Sequence, residues 1–222
     1  MDWRALEISL TVAAWTIVLL VPLATLLARW LAWTRFAGRS VVTTLVALPL
    51  VLPPTVLGFY LLEGFAKGSL LADLYGAITG GSLAFSLEGL VLAAMVFNVP
   101  FAVQPIQRAF EAIPGHIREA AWVSGLGPWR AFWRIEVPLA WPGFVTAFAL
   151  VFAHSLGEFG VVLMVGGNIP GETRTASVAI YDMVQSFETA AAGRMSLLLL
   201  AISFAAIAVV NTTAGRAERK RR

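Results

Sequence analysis

Of the 222 residues, 59% are hydrophobic and only 13% charged; the formal net charge is +3 and there is no cysteine. Soluble domains carry about 25% charged residues, so a water-soluble globular fold is excluded, and the lack of thiols excludes disulfides and thiolate metal centres. Apolar runs of about 20 residues, the length that crosses a bilayer, cover nearly the whole chain. They predict an all-α integral membrane bundle, one domain over residues 1–222, with no separate soluble domain.

The first span is expected from about Ile8 to Ala28. Met1-Asp2-Trp3-Arg4 ahead of it does not read as a cleavable signal. The segment that follows holds Arg29, Arg35 and Arg39 and no acid. The second span, Val41 to Leu62, is interrupted by Pro49 and Pro53-Pro54. Residues 63–86 read as a glycine-rich loop with Lys67 as its only base. The third span, Leu87 to Ile106, contains Asn98, Pro100, Gln104 and Pro105, which either line a cavity or mark an ordinary proline kink. A fourth span is expected from Gly143 to Val165 and a last one from Met195 to Thr213. Between these two, Ala176 to Phe187 is too short and polar to cross and reads as a short helix at the outer face.

Lys and Arg gather in the first loop, in residues 111–143 and in the tail ending Arg219-Lys220-Arg221-Arg222. The bias of basic residues toward the cytoplasm puts these three regions inside. The amino terminus is then outside, the carboxyl terminus inside, and five spans satisfy every loop. Trp30, Trp33, Trp129, Trp133 and Trp141 fall in or beside the inner loops, as interfacial aromatics do. The tail reads as a topology anchor drawn to anionic membrane lipid rather than a nucleic-acid site.

Residues 111–143 are too polar to cross a bilayer and too patterned for a slack linker. His116 to Ser124 shows helical spacing, with Ile117, Ala120, Ala121 and Ser124 on one face. Glu119 is expected near the amino end of this helix, where its carboxylate suits the dipole. Gly125 and Gly127 break the helix, Gly125 with positive φ or a close approach. Pro128 then opens a second helix, which Pro138 and Pro142 are expected to end before the next span. Glu119-Ala120-Ala121, three residues, Gly125, nine residues, Ile135, one residue, Val137-Pro138 resembles the EAA motif of ABC-importer permeases, with Val137 where Leu is usual. The resemblance implies a cytoplasmic coupling helix docked into a groove of a separate ATPase subunit, with Glu119, Ala120, Ala121, Gly125, Pro128 and Pro138 as the coupling residues. A short helix with small residues on one face suits such docking; the competing reading is a surface loop without a partner.

His154, Ser155 and Glu158 fall near the middle of the fourth span, His154 and Glu158 four apart on one face. Ionisable groups at that depth usually face the bundle interior or a cavity. They either line the permeation path, with Asn98 as a further candidate for path or gate, or fix helix packing beside Gly157 and Gly160. Glu158 would repel an anion, which favours a gating or structural role over direct ligation. Two residues are too few for a metal site, and no metal or cofactor is expected. His154–Gly160, Gly167–Thr175, Ala179–Tyr181, Leu48–Val56 and Phe36–Arg39 together resemble the permeases of molybdate importers; the Gly-Glu-aromatic-Gly core is shared with sulfate permeases. One small chain with one coupling stretch suggests a twofold homodimer of permease subunits; the resemblance implies a dimer of ATPase subunits inside and an oxyanion-binding protein outside, in the cytoplasmic (inner) membrane.

There is no internal repeat of the secondary-transporter kind and no P-loop sequence, so ATP hydrolysis belongs to the partner. Alternatives are a sulfate or tungstate permease and, in another class, an intramembrane enzyme or proton channel using His154 and Glu158. Catalysis would need a nucleophile or metal within reach, and no such set is present in the sequence.

Overall fold

The computed structural model describes residues 1–219, and all its regular elements are helical. Lys220, Arg221 and Arg222 of the expected anchor lie outside the described residues. Helix α1 (Trp3–Trp33) outruns its apolar core at both ends, and the Asp2 carboxylate accepts a hydrogen bond from the Ala5 N–H at 3.0 Å to cap it. The second span is broken rather than kinked: α2 (Arg39–Val51) and α3 (Pro54–Phe65) meet at 110°. Pro53 and Pro54 donate no backbone hydrogen bonds, and each pushes the residue before it out of helical conformation; Leu52 (ψ 134) and Pro53 (ψ 136) are accordingly extended. The expected loop at 63–86 contains helix α4 (Leu70–Thr79), started by Ser69, whose Oγ accepts from Ala72 N–H at 3.1 Å.

Helix α5 (Leu87–Glu111) is the centre of the bundle and passes through Pro100 and Pro105 unbroken. It packs against α1, α2 and α8 around Leu31, Ile106 and Phe110, all fully buried. Helix α6 (Gly115–Val123) matches the expected first helix of the polar stretch. The second departs from expectation. Helix α7 (Pro128–Ala131) runs through a π-helical segment (Phe132–Glu136) into α8 (Val137–Gly157), so Pro138 and Pro142 lie inside a continuous rod. In the wider π turn Val137 N–H bonds the Phe132 carbonyl, and that extra residue per turn accommodates the proline that follows. On α8, Gly143 lets the rod touch α5: a Cβ there would collide with Ala109 and lie 2.6 Å from the Pro105 carbonyl oxygen.

The expected fourth span also ends early. Glu158 is extended (ψ 132), and a separate helix α9 (Gly160–Gly166) follows. Helix α10 (Ala176–Gln185) is the expected short helix, and α11 (Thr189–Arg219) the last span. Ion pairs Arg29–Glu136 and Arg39–Glu111 gather the end of α1, the start of α2, the end of α5 and the start of α8 at one end of the bundle. At the opposite end Ala176 N–H donates to Ser9 Oγ and Phe85 N–H to the Val165 carbonyl. The α2–α3 pair starts at the first end and packs on α9 at the second. It therefore counts as one crossing, and with the four long apolar helices it makes five.

Candidate functional site

The two chain breaks face each other. The α2–α3 elbow and the α8–α9 break enclose a cavity of about 210 Å3, whose walls include Pro49, Pro54, Phe97 and Phe101 and whose polar groups come from His154 and Glu158. Gly160 keeps the two breaks in contact, since a Cβ there would sit 2.8 Å from Pro54 Cβ.

His154, in the last turn of α8, is held from three sides. Its Nδ1 lies 3.2 Å from Asn98 Oδ1, and its ring rests on Phe101 (centroids 4.3 Å) and against Phe97 (5.3 Å). Asn98 is fully buried and donates from Nδ2 to the Ala94 carbonyl and to Ser155 Oγ, both at 2.9 Å. Asn98 and Ser155 thus do not line the cavity; they fix the ring that does. This satisfies their polar atoms inside the bundle.

Glu158 was expected mid-helix; it sits at the break. Its Oε1 accepts from Val161 N–H at 3.0 Å, and its Oε2 stands 4.0 Å from His154 Nε2. The carboxylate caps α9, whose amino end carries the partial positive charge of unpaired N–H groups. The Glu158 carbonyl accepts from Ser177 Oγ at 2.6 Å, tying the break to α10. Asn168, Arg174 and Asp182 bond one another, with Arg174 Nε donating to Asn168 Oδ1 at 2.7 Å and Asn168 Nδ2 to Asp182 at 3.0 Å. These residues brace α9 against α10 and are engaged with each other. Among the described residues no group of three or more metal-ligating acids, histidines or cysteines exists.

At the other end stands α6, whose Arg118 reaches Glu136 at the start of α8. Its last turn closes through Leu126 N–H to the Ala121 carbonyl (3.0 Å) and Gly125 N–H to Trp122 (3.0 Å), and Gly125 has φ +76, the left-handed conformation expected of it. The expected small-residue face is divided. Ala121 is buried against the bundle and Ile117 half-buried, whereas Ala120 and Ser124 are exposed. The outward surface is instead Glu119, Ala120, Trp122 and Val123, the last 89% exposed. Glu119 is also not in the first turn, because α6 begins at Gly115; its carboxylate faces outward without a capping role. Pro128 stands at the start of α7 as expected, and Pro138 is exposed.

One centre had no expectation attached to it. Glu136 is 2% exposed and receives two hydrogen bonds from Arg29, Nε to Oε2 at 2.6 Å and Nη2 to Oε1 at 3.2 Å. Arg118 of α6 brings its Nε to 3.4 Å from Oε1, and its guanidinium lies over the Trp33 ring at 3.9 Å. The signal was present: Glu136 falls on the other face of its helix from Arg130 and Arg134, and a carboxylate turned toward apolar neighbours requires cationic partners.

The protein family described as "Binding-protein-dependent transport system inner membrane component" matches residues 20–219. Over 208 residues the chain is 47% identical to the molybdenum transport system permease protein ModB of Azotobacter vinelandii, covering 92% of each. It is 35% identical over 209 residues to ModB of Escherichia coli (strain K12), covering 94% of this chain and 91% of that one. Its backbone is similar to the crystal structure of a bacterial ABC transporter that imports the acidic polysaccharide alginate, at a TM-score of 0.76 and 18% identity over 96% of this chain and 78% of that one. That last likeness is one of fold.

Proposed function

The chain belongs to the family of binding-protein-dependent transport system inner membrane components, a multi-pass permease of the inner membrane, and from that premise we propose that it carries molybdate inward. The observation that carries the substrate is the 47% identity to a permease named for molybdenum transport, over 92% of both chains. ATP hydrolysis belongs to a separate subunit, which the exposed face of α6 around Glu119, Ala120 and Val123 would meet. The basic end of the bundle is then cytoplasmic, and a binding protein delivers the anion at the end bearing α10.

The cavity chemistry suits passage rather than storage. Molybdate is a tetrahedral dianion. His154 offers a single polar group toward it, and Glu158 opposes tight binding, its charge softened by the Val161 N–H. A path must bind weakly enough to release, and affinity is left to the binding protein. The α2–α3 elbow supports a twofold pair of permease copies. Val51 is 80% exposed and Pro53, Pro54 and Thr55 are exposed too. Non-helical backbone at membrane depth is tolerated only against protein or a water-lined cavity. A second copy facing the elbow covers it and encloses the path between the two chains.

Uptake of labelled molybdate into vesicles holding the chain, its ATPase and its binding protein tests the substrate. Unlabelled molybdate should abolish the signal and sulfate in tenfold excess should leave it; suppression by sulfate at equal concentration would make this a sulfate permease.

A further inference from the structure

We propose that Glu136 is a positioning residue for transport, a buried clamp through which displacement of α6 is passed to the membrane helices α1 and α8. The inference rests on the reading that α6 is the element an ATPase subunit moves.

Three elements meet on one carboxylate. Glu136 lies on the π-helical segment that joins α7 to α8; Arg29 comes from the last turns of α1; Arg118 comes from α6. The Arg29 fork is complete, with both nitrogens within hydrogen-bond distance. The Arg118 contact is not: its Nε is buried and makes no hydrogen bond, although Oε1 is 3.4 Å away. Its guanidinium is held instead between Trp33 of α1, at 3.9 Å, and Trp122 of its own helix, at 5.2 Å. Ile117 and the buried Ala121 rest α6 on the bundle, and this cluster adds its polar attachment to the spans.

The arrangement can transmit force because its parts differ in stiffness. A charge-assisted fork onto a buried carboxylate is short and directional, and it ties the half-buried Arg29 of α1 to the start of α8. The π segment is the compliant point of the α7–α8 rod, having a wider turn and, after Val137, Pro138 without an N–H. A shift of a few tenths of an ångström by α6 toward the carboxylate completes the Arg118 bond and draws the π segment with it. Two cations share one anion here, so removal of the carboxylate charge leaves Arg29 and Arg118 repelling each other and separates α6 from α1.

The test uses the full complex in vesicles, with the ATPase subunit and the binding protein, and two variants. Glu136→Gln keeps shape and hydrogen bonding but removes the charge. Arg118→Met keeps a long side chain against Trp33 and leaves the Arg29 fork intact, so it decides the matter if Glu136→Gln does not reach the membrane. The readout is ATP hydrolysed per labelled molybdate taken up, alongside recovery of the ATPase with the chain. Both variants should retain the ATPase and raise the ratio about fivefold or more, the lower range of coupling between sites. A normal ratio in the variants, even with lowered thermal stability, overturns the clamp and leaves the docking of α6 standing. Failure of the wild-type chain to recover any ATPase overturns the docking reading and the clamp together.

Discussion

Glu158 shows how a single side chain can be misplaced by periodicity and still be singled out for good reason. Helical spacing put it beside His154 in mid-span, and the two do lie 4.0 Å apart. The chain nonetheless leaves the helix at Glu158, because its carboxylate bonds the Val161 N–H and starts a new helix. Its substitutions should therefore divide. Glu158→Gln retains an acceptor for that N–H and should melt within a degree or two of wild type in detergent; Glu158→Ala should lose about 1 kcal/mol, the usual value of a cap, with α9 and the cavity wall loosened. Equal melting of the Ala variant and wild type would remove the capping role. Glu136 was harder to single out from sequence. It stands in a polar stretch among Arg130, Arg134 and Glu119, and although its helical face sets it apart from the two arginines, nothing in the sequence names the distant Arg29 and Arg118 that enclose it.

At the scale of elements, the lengths of apolar runs and the prolines predicted where helices fall but not where they stop. Pro53-Pro54 breaks the second span because two consecutive residues lack N–H groups, whereas Pro100 and Pro105 leave α5 unbroken, packed on three sides by α1, α2 and α8. Pro138 was read as a terminator and lies inside a rod, since a π turn ahead of it absorbs the missing bond. Short helices were likewise hidden: α4 is a short apolar helix, and its capping Ser69 lay among glycines that signalled only a loop. The turn after α6 was legible, because Gly125 followed by Gly127-Pro128 leaves few alternatives. With φ +76, Gly125→Val forces a β-branched residue into the left-handed region, a strain of about 1–3 kcal/mol. Nothing lies within 4 Å of a Cβ built there, so the effect is one of backbone and not of crowding. The spans should insert at normal levels while α6 tilts, and recovery of the ATPase with the variant should fall at least severalfold. Wild-type recovery at equal expression would detach α6 from the coupling role.

The whole molecule was the most legible scale in one respect, the five crossings, because bilayer thickness and basic-residue bias act on the chain from end to end. The broken second span could be counted only once its two halves were placed, with Arg39 tied to Glu111 at one end and α3 against α9 at the other. The same bias predicts the proposed sidedness. Single cysteines at Gly38 and Gly171, in a chain that has none of its own, should label from the cytoplasm and from outside respectively when a membrane-impermeant reagent is applied to intact cells and to inverted vesicles. Labelling of the Gly38 position from outside would reverse the bundle. The cavity, in contrast, was only half visible: sequence supplied His154 and Glu158, but the elbow opposite them comes from the three-dimensional structure. The most direct test of the account is molybdate uptake into vesicles containing the chain with its ATPase and binding protein, with ATP enclosed or withheld. The account predicts accumulation that requires ATP and the binding protein and that vanishes when this chain is omitted; accumulation that proceeds equally without ATP would contradict it.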